Sequence, residues 1–105
     1  MKEDFDQALV DFDAYISLVP DNVDGYYKRA IAHYAKKDLD RALSDLNSAL
    51  QIKPNDAAVR LKRGQVYDDL GMREKAISDM ESARSLGLPP QIDQQAEEKI
   101  RDLRE

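Results

Sequence analysis

Residues of like size recur every 34 positions along this chain. Ala8, Ala42 and Ala76 keep that step, as do Leu9, Leu43 and Ile77, and then Phe12, Leu46 and Met80. Pro20 and Pro54 follow it, and Pro89 comes one residue late. A unit of this length makes one helical hairpin, which cannot bury its apolar face alone and must stack on a neighbour. The period therefore restricts the chain to an array of hairpins that offers surface to another molecule.

Within each unit the apolar residues follow helical spacing. Phe5, Ala8, Leu9, Phe12, Tyr15, Ile16 and Val19 fall at i, i+3, i+4, i+7 and predict an amphipathic helix between Asp4 and Val19. Pro20 ends it, and Asp21-Asn22 makes the turn and caps the next helix. Further helices are predicted at roughly 23–36, 40–52, 57–70, 74–86 and 91–104. Asp38 and Asp56 are placed as N-caps, Gly71 as a left-handed helix terminus, and Gly87-Leu88-Pro89-Pro90 as the strongest stop. No stretch alternates with period two, so the fold class is all-α, an α-solenoid of about six helices in antiparallel hairpins. Lys37 stands where the other unit has Gly71. If both close a helix in the αL conformation, Lys37 carries a strain of about 1 kcal/mol.

At 105 residues the chain reads as a single domain with a thin core. Its net charge of -5 argues against a general affinity for nucleic acid or anionic membrane, which need clustered Lys and Arg. The acidity is uneven. Residues 2–19 hold Glu3, Asp4, Asp6, Asp11 and Asp13 against Lys2 alone, whereas residues 23–56 and 57–90 each hold six bases and five acids. The absence of Cys excludes disulfides and thiolate metal sites and fits a reducing, cytoplasmic setting. No apolar run is long enough to span a membrane, and no secretory leader pattern is seen.

The period and its landmark residues resemble the tetratricopeptide repeat, whose pattern is W-x2-L-G-x2-Y, then A-x3-F and a Pro. Residues 23–56 match through Tyr26, Arg29, Ala30, His33, Ala42, Leu46, Ala49 and Pro54. Residues 57–90 match through Arg60, Arg63, Gly64, Tyr67, Ala76, Met80 and Ala83, with Leu88 where the Pro would fall. Residues 4–22 match only the second half of a unit, through Ala8, Phe12, Tyr15 and Pro20. Arg29 and Arg63 occupy the slot where the pattern has Leu, and are expected to bury their stems while their heads stay wet. Residues 91–105 lie outside the repeat; Ile92, Ala96, Ile100 and Leu103 form one stripe, as expected of a capping helix.

The resemblance implies a concave groove lined by first helices that holds a partner's peptide. Helical spacing puts Tyr26, Ala30 and His33 on the packing face of residues 23–36, and Tyr27, Lys28, Ile31 and Tyr34 on the groove face. On residues 57–70 Val59, Gly64, Tyr67 and Leu70 pack, while Leu61, Lys62, Gln65 and Asp69 face the groove. Tyrosines are good anchors, and Lys28 and Lys62 suit an acidic stretch. The family's clamp for chaperone C-terminal carboxylates draws on three first helices. It is not expected here, because the repeat supplies two and Tyr27 and Ile31, or Leu61 and Gln65, stand where its first Lys and Asn belong. The expected role is thus a non-catalytic protein-interaction module. The alternative is a homo-oligomer assembled through Phe5, Leu9, Phe12 and Ile16 on the unpaired leading helix, a bare apolar stripe.

Elements of chemistry are missing from the sequence. His33 has Arg29 and Lys37 at helical spacing and no acid nearby in sequence, which suits neither a metal ligand nor a general base. There is no HExxH, GxGxxG, Walker loop or GxSxG element, and Asp11 and Asp13 lack the Gly of a calcium loop. Asp68-Asp69 and Glu97-Glu98 read as solvated faces. No catalytic residue, metal or cofactor is expected.

Overall fold

The computed structural model describes residues 4–105, so Lys2 and Glu3 of the acidic leader lie outside the described residues. The described residues form six α-helices and no strand: α1 (Phe5–Leu18), α2 (Val23–Ala35), α3 (Leu39–Ile52), α4 (Ala57–Asp69), α5 (Arg73–Leu86) and α6 (Pro90–Arg104). They fall into two compact units, Met1–Pro54 and Asn55–Glu105.

In the first unit, the N-caps follow from short polar side chains that satisfy otherwise orphaned N–H groups. The carboxylate of Asp4 accepts from the Gln7 N–H at 3.0 Å, Asn22 from Asp24 at 2.8 Å and Asp38 from Arg41 at 3.2 Å. Between α2 and α3, Lys37 has φ 64. Its N–H donates to Tyr34 O and the Asp38 N–H donates to His33 O, each at 2.9 Å, which is a Schellman closure with a lysine in the αL position. Ala30, Ala42, Leu46 and Ala49 are fully buried, so the small residues of the period mark where α2 and α3 approach. Gly25 does the same for α1 and α2: a Cβ there would lie 2.9 Å from Tyr15 Cδ2 and 3.1 Å from Ile16 Cγ1.

The second unit repeats the hairpin with altered ends. Asp56 caps α4 through the Val59 N–H at 3.2 Å. Gly71, φ 77, closes it with the same pair of bonds, from its own N–H to Asp68 O at 2.9 Å and from the Met72 N–H to Tyr67 O at 2.8 Å. Met72 then stands at the N-cap of α5 and provides no side-chain bond. The first turn has the better cap and the second the better αL residue. Gly64 lets α4 sit close to α5, with Met80 Cγ 3.0 Å and Ala76 O 3.2 Å from where its Cβ would be. Ala76, Met80 and Ile100 form a buried cluster flanked by Leu61, Tyr67, Ile77 and Leu103.

Helix α6 starts at Pro90 rather than 91, because proline at the first helical position loses only an N–H that has no intrahelical partner. Ala96 and Ile100 are buried and Leu103 half-buried, but Ile92 remains 39% exposed and does not join the packing stripe. Ion pairs secure the rest of the helix: Asp93 and Glu97 to Arg84 at 2.9 and 3.4 Å, Lys99 to Asp68 at 3.0 Å, and Arg104 to Glu81. Asp68 and Glu97 are thus paired, and not simply solvated.

The leading stripe also differs from the sequence expectation. Phe5, Leu9, Phe12 and Ile16 are half-buried, because α2 packs on α1 through the Gly25 approach. The most exposed large apolar residues of α1 are Leu18 and Val10, followed by Tyr15.

Candidate functional site

The first-helix arginines are the clearest departure from what sequence spacing suggests. Their heads are not left in water. Arg29 Nε donates to Asp45 Oδ2 at 2.8 Å and its Nη2 to Asp45 Oδ1 at 2.6 Å; Arg63 does the same to Asp79 at 2.6 and 2.8 Å. Asp45 and Asp79 are only 5% and 3% exposed, and a buried carboxylate persists only where it is paired and hydrogen-bonded. Each guanidinium also lies near a tyrosine ring, Arg29 5.8 Å from the centroid of Tyr26 and Arg63 5.6 Å from that of Tyr67. The hydrogen bonds to Asp45 raise the pKa of Arg29 above its ordinary value, as those to Asp79 raise that of Arg63. Arg29 reaches further, to Asp13 of α1 at 2.9 Å, and so joins three helices of its unit. His33 Nε2 stands 3.7 Å from Asp45 Oδ2, so an acid does lie beside it. A sequence signal for these pairs existed: Asp11, Asp45 and Asp79 keep the 34-residue step, and so do Arg29 and Arg63. These groups hold the hairpins together and leave no unsatisfied buried side-chain atom among the described residues.

Two grooves take in some of the residues assigned from sequence. In the first unit a groove of about 330 Å³ lies between α1 and α2, lined by Asp11, Phe12, Tyr15, Asp24, Gly25 and Lys28. Lys28 belongs to it. Tyr27 and Tyr34, both half-buried, and Ile31, which is exposed, are not among its lining residues. Phe12, assigned to self-association, is part of this wall.

In the second unit a groove of about 380 Å³ runs between α4 and α6 over α5, lined by Leu61, Gln65, Met80, Ile92, Gln95, Ala96 and Lys99. It brings together Leu61 and Gln65, as expected, but the opposite wall comes from α6, which sequence spacing assigns to capping alone. Lys62 and Asp69 are not in that lining. Burial pushes the pKa of Lys62 down, opposed by the charge of Asp69. Hydrogen bonding to Asp68 raises the pKa of Lys99 and keeps its charge at the rim. No cluster of three His, Cys, Asp or Glu side chains suited to a metal occurs among the described residues. None of the helices described is long and apolar enough to cross a membrane.

Hairpins in 34-residue step with small residues at every close approach are matched by a tetratricopeptide repeat model over residues 2–57, more than half of the chain, and by a second over residues 33–83. The chain belongs to the tetratricopeptide repeat family. No curated protein matches it. Solved structures do. This tetratricopeptide repeat protein superposes on the Yersinia enterocolitica type III secretion chaperone SycD, solved with a peptide of the translocator YopD, with TM-score 0.90 at 12% identity over 95% of this chain and 79% of that one. The first repeat domain of Spaghetti (RPAP3), bound to the HSP90 peptide SRMEEVD, gives 0.86 at 23% identity over 94% and 76% of the two chains. The P58(IPK) repeat domain gives 0.87 at 28% identity over 94% of this chain, which spans 28% of that one.

Proposed function

We propose that this tetratricopeptide repeat protein is a non-catalytic interaction module that holds a segment of a partner protein against α4 of its second unit. The observation that carries the reading is the groove between α4 and α6. Ile92 stays 39% exposed there although Ala96 and Ile100, on the same helix, are buried, so an apolar side chain faces Leu61 across an open channel. Gln65 and Gln95 line the same channel and offer donors and acceptors to a peptide backbone, and Lys99 supplies a charge at its rim. The volume suits one or two side chains, which points to modest affinity. The peptides bound to SycD and to the Spaghetti domain support the reading by kinship of fold. In the same reading Lys62 and Asp69 of α4 contribute contacts outside the channel, while Tyr27, Lys28, Ile31 and Tyr34 of α2 offer contacts of their own within the first unit.

The test is selection of peptides from a random display library on the full chain, followed by fluorescence anisotropy of the winners. Ile92→Glu and Gln95→Ala change exposed positions and should leave the fold intact while weakening the selected peptides about tenfold each, the scale of one lost anchor. Selected peptides that bind both variants as tightly as the parent chain would reject the channel as the site.

A further inference from the structure

The two most exposed large apolar side chains among the described residues are Leu18, at 81%, and Val10, at 60%, and both belong to α1. With the exposed Ala14 between them they sit at i, i+4 and i+8, a single stripe about 12 Å long at the helical rise. The 34-residue step shows that this face is unusual. Where α1 has Val10, Ala14 and Leu18, α3 has Ser44, Ser48 and Ile52, and α5 has Ser78, Ser82 and Leu86. Two serines that keep this face wet in the other second helices are replaced by apolar residues in α1 alone. Nothing in hairpin packing asks for that change, because the half-buried face of α1 is that of Phe5, Leu9, Phe12 and Ile16, and Val10, Ala14 and Leu18 are exposed.

We infer that the Val10, Ala14, Leu18 face of α1 docks an amphipathic helix of a partner protein whose apolar stripe is flanked by basic residues. A convex helical stripe of this length matches the ridge of another helix packed alongside it. Charge chooses the partner. Helix α1 and its cap hold Asp4, Asp6, Asp11 and Asp13 and no Lys or Arg. Asp6 and Asp13 pair with Lys36 and Arg29, whereas Asp4 and Asp11 accept from neutral donors, the Gln7 N–H and the Gln7 side-chain amide. A second copy docked face to face through a two-fold axis would set carboxylates against carboxylates, so the same surface that attracts a basic helix repels its own copy.

Three synthetic 18-residue helices test this on the full chain by fluorescence anisotropy: a Leu stripe with Lys flanks, the same stripe with Glu flanks, and a Gln stripe with Lys flanks. The first should bind at least tenfold more tightly than either of the others, and more weakly as salt is raised from 50 to 500 mM. The triple variant Val10→Ser, Ala14→Ser and Leu18→Ser should lose that binding tenfold or more, with unchanged circular dichroism, whereas Ile52→Ser on α3 should not. Equal binding of the Lys- and Glu-flanked helices, equal binding of the Leu and Gln stripes, or full binding by the triple variant overturns the inference. So does a concentration-dependent dimer abolished by the triple variant, which would name a second copy as the occupant. Peptides selected on the α4–α6 channel should bind the triple variant normally, so failure here leaves the channel reading untouched.

Discussion

Replacing Lys37 by glycine isolates the strain that the first hairpin carries in its turn. Lys37 and Gly71 hold the same place in two Schellman closures of the same geometry, with φ 64 and 77 and closing bonds of 2.8–2.9 Å. An L residue in the left-handed region costs about 1–2 kcal/mol relative to glycine. Glycine gives back roughly 0.4–1 kcal/mol through the greater freedom of the unfolded chain. Lys37→Gly should therefore gain about 0.5–1 kcal/mol, which for a domain of this size raises the melting temperature by roughly 2–6 °C. The mirror experiment is Gly71→Ala. A Cβ at Gly71 meets no atom within 4 Å, so its cost is the backbone conformation alone, and the variant should lose about what Lys37→Gly gains. Urea and thermal melts followed at 222 nm measure both, and the double variant should return close to the parent because the sites share no partner. An unchanged or lower melting temperature for Lys37→Gly, with the expected loss in Gly71→Ala, would refute the reasoning and show that the lysine side chain stabilises the turn.

Met72→Asp should add about 1 kcal/mol by giving α5 the cap that Asp38 gives α3, read in the same melts. Arg29→Leu, which restores the residue of the family pattern, should destabilise by about 3 kcal/mol because Asp45 is left buried without its bidentate partner, and adding Asp45→Ala should recover part of that loss in a double-mutant cycle. Gly64→Ala should lower stability by about 1 kcal/mol or more despite the better helix propensity of alanine, since backbone at Ala76 O leaves the new methyl no room. For Lys62, burial lowers the folded pKa below the ordinary 10.5, so the unfolded chain binds more protons in the window just under that value. Stability should accordingly rise with pH through that window, and an NMR titration of its ε-methylene should show it losing its proton below 10.5.

The helices were legible because period and punctuation agree. Alanines at 42, 49, 76 and 83 report close approach, Asp38 and Asp56 are caps by chemistry, and the αL site at Lys37 follows from its alignment with Gly71. The groove was legible only on one wall. Leu61 and Gln65 follow from the helical wheel of α4, but Ile92 and Gln95 had the spacing of a capping helix, and only the packing of α6 decides which of its apolar residues reaches the core and which faces the channel. Sequence spacing likewise treated Arg29 and His33 as bases without an acid, because Asp45 is 16 residues from Arg29 and 12 from His33 and belongs to another helix.

Sequence by itself determined the repeat, the helix ends and the family, since these depend on residues within a turn or a hairpin of one another. Tertiary structure decided the pairing of charges and the exposure of each apolar stripe, because both depend on what the next helix places opposite. The 34-residue step marks Val10 and Ala14 as unlike the serines of the other second helices, but that their face stays uncovered while Phe12 is half-buried is decided by where α2 approaches α1, at Gly25.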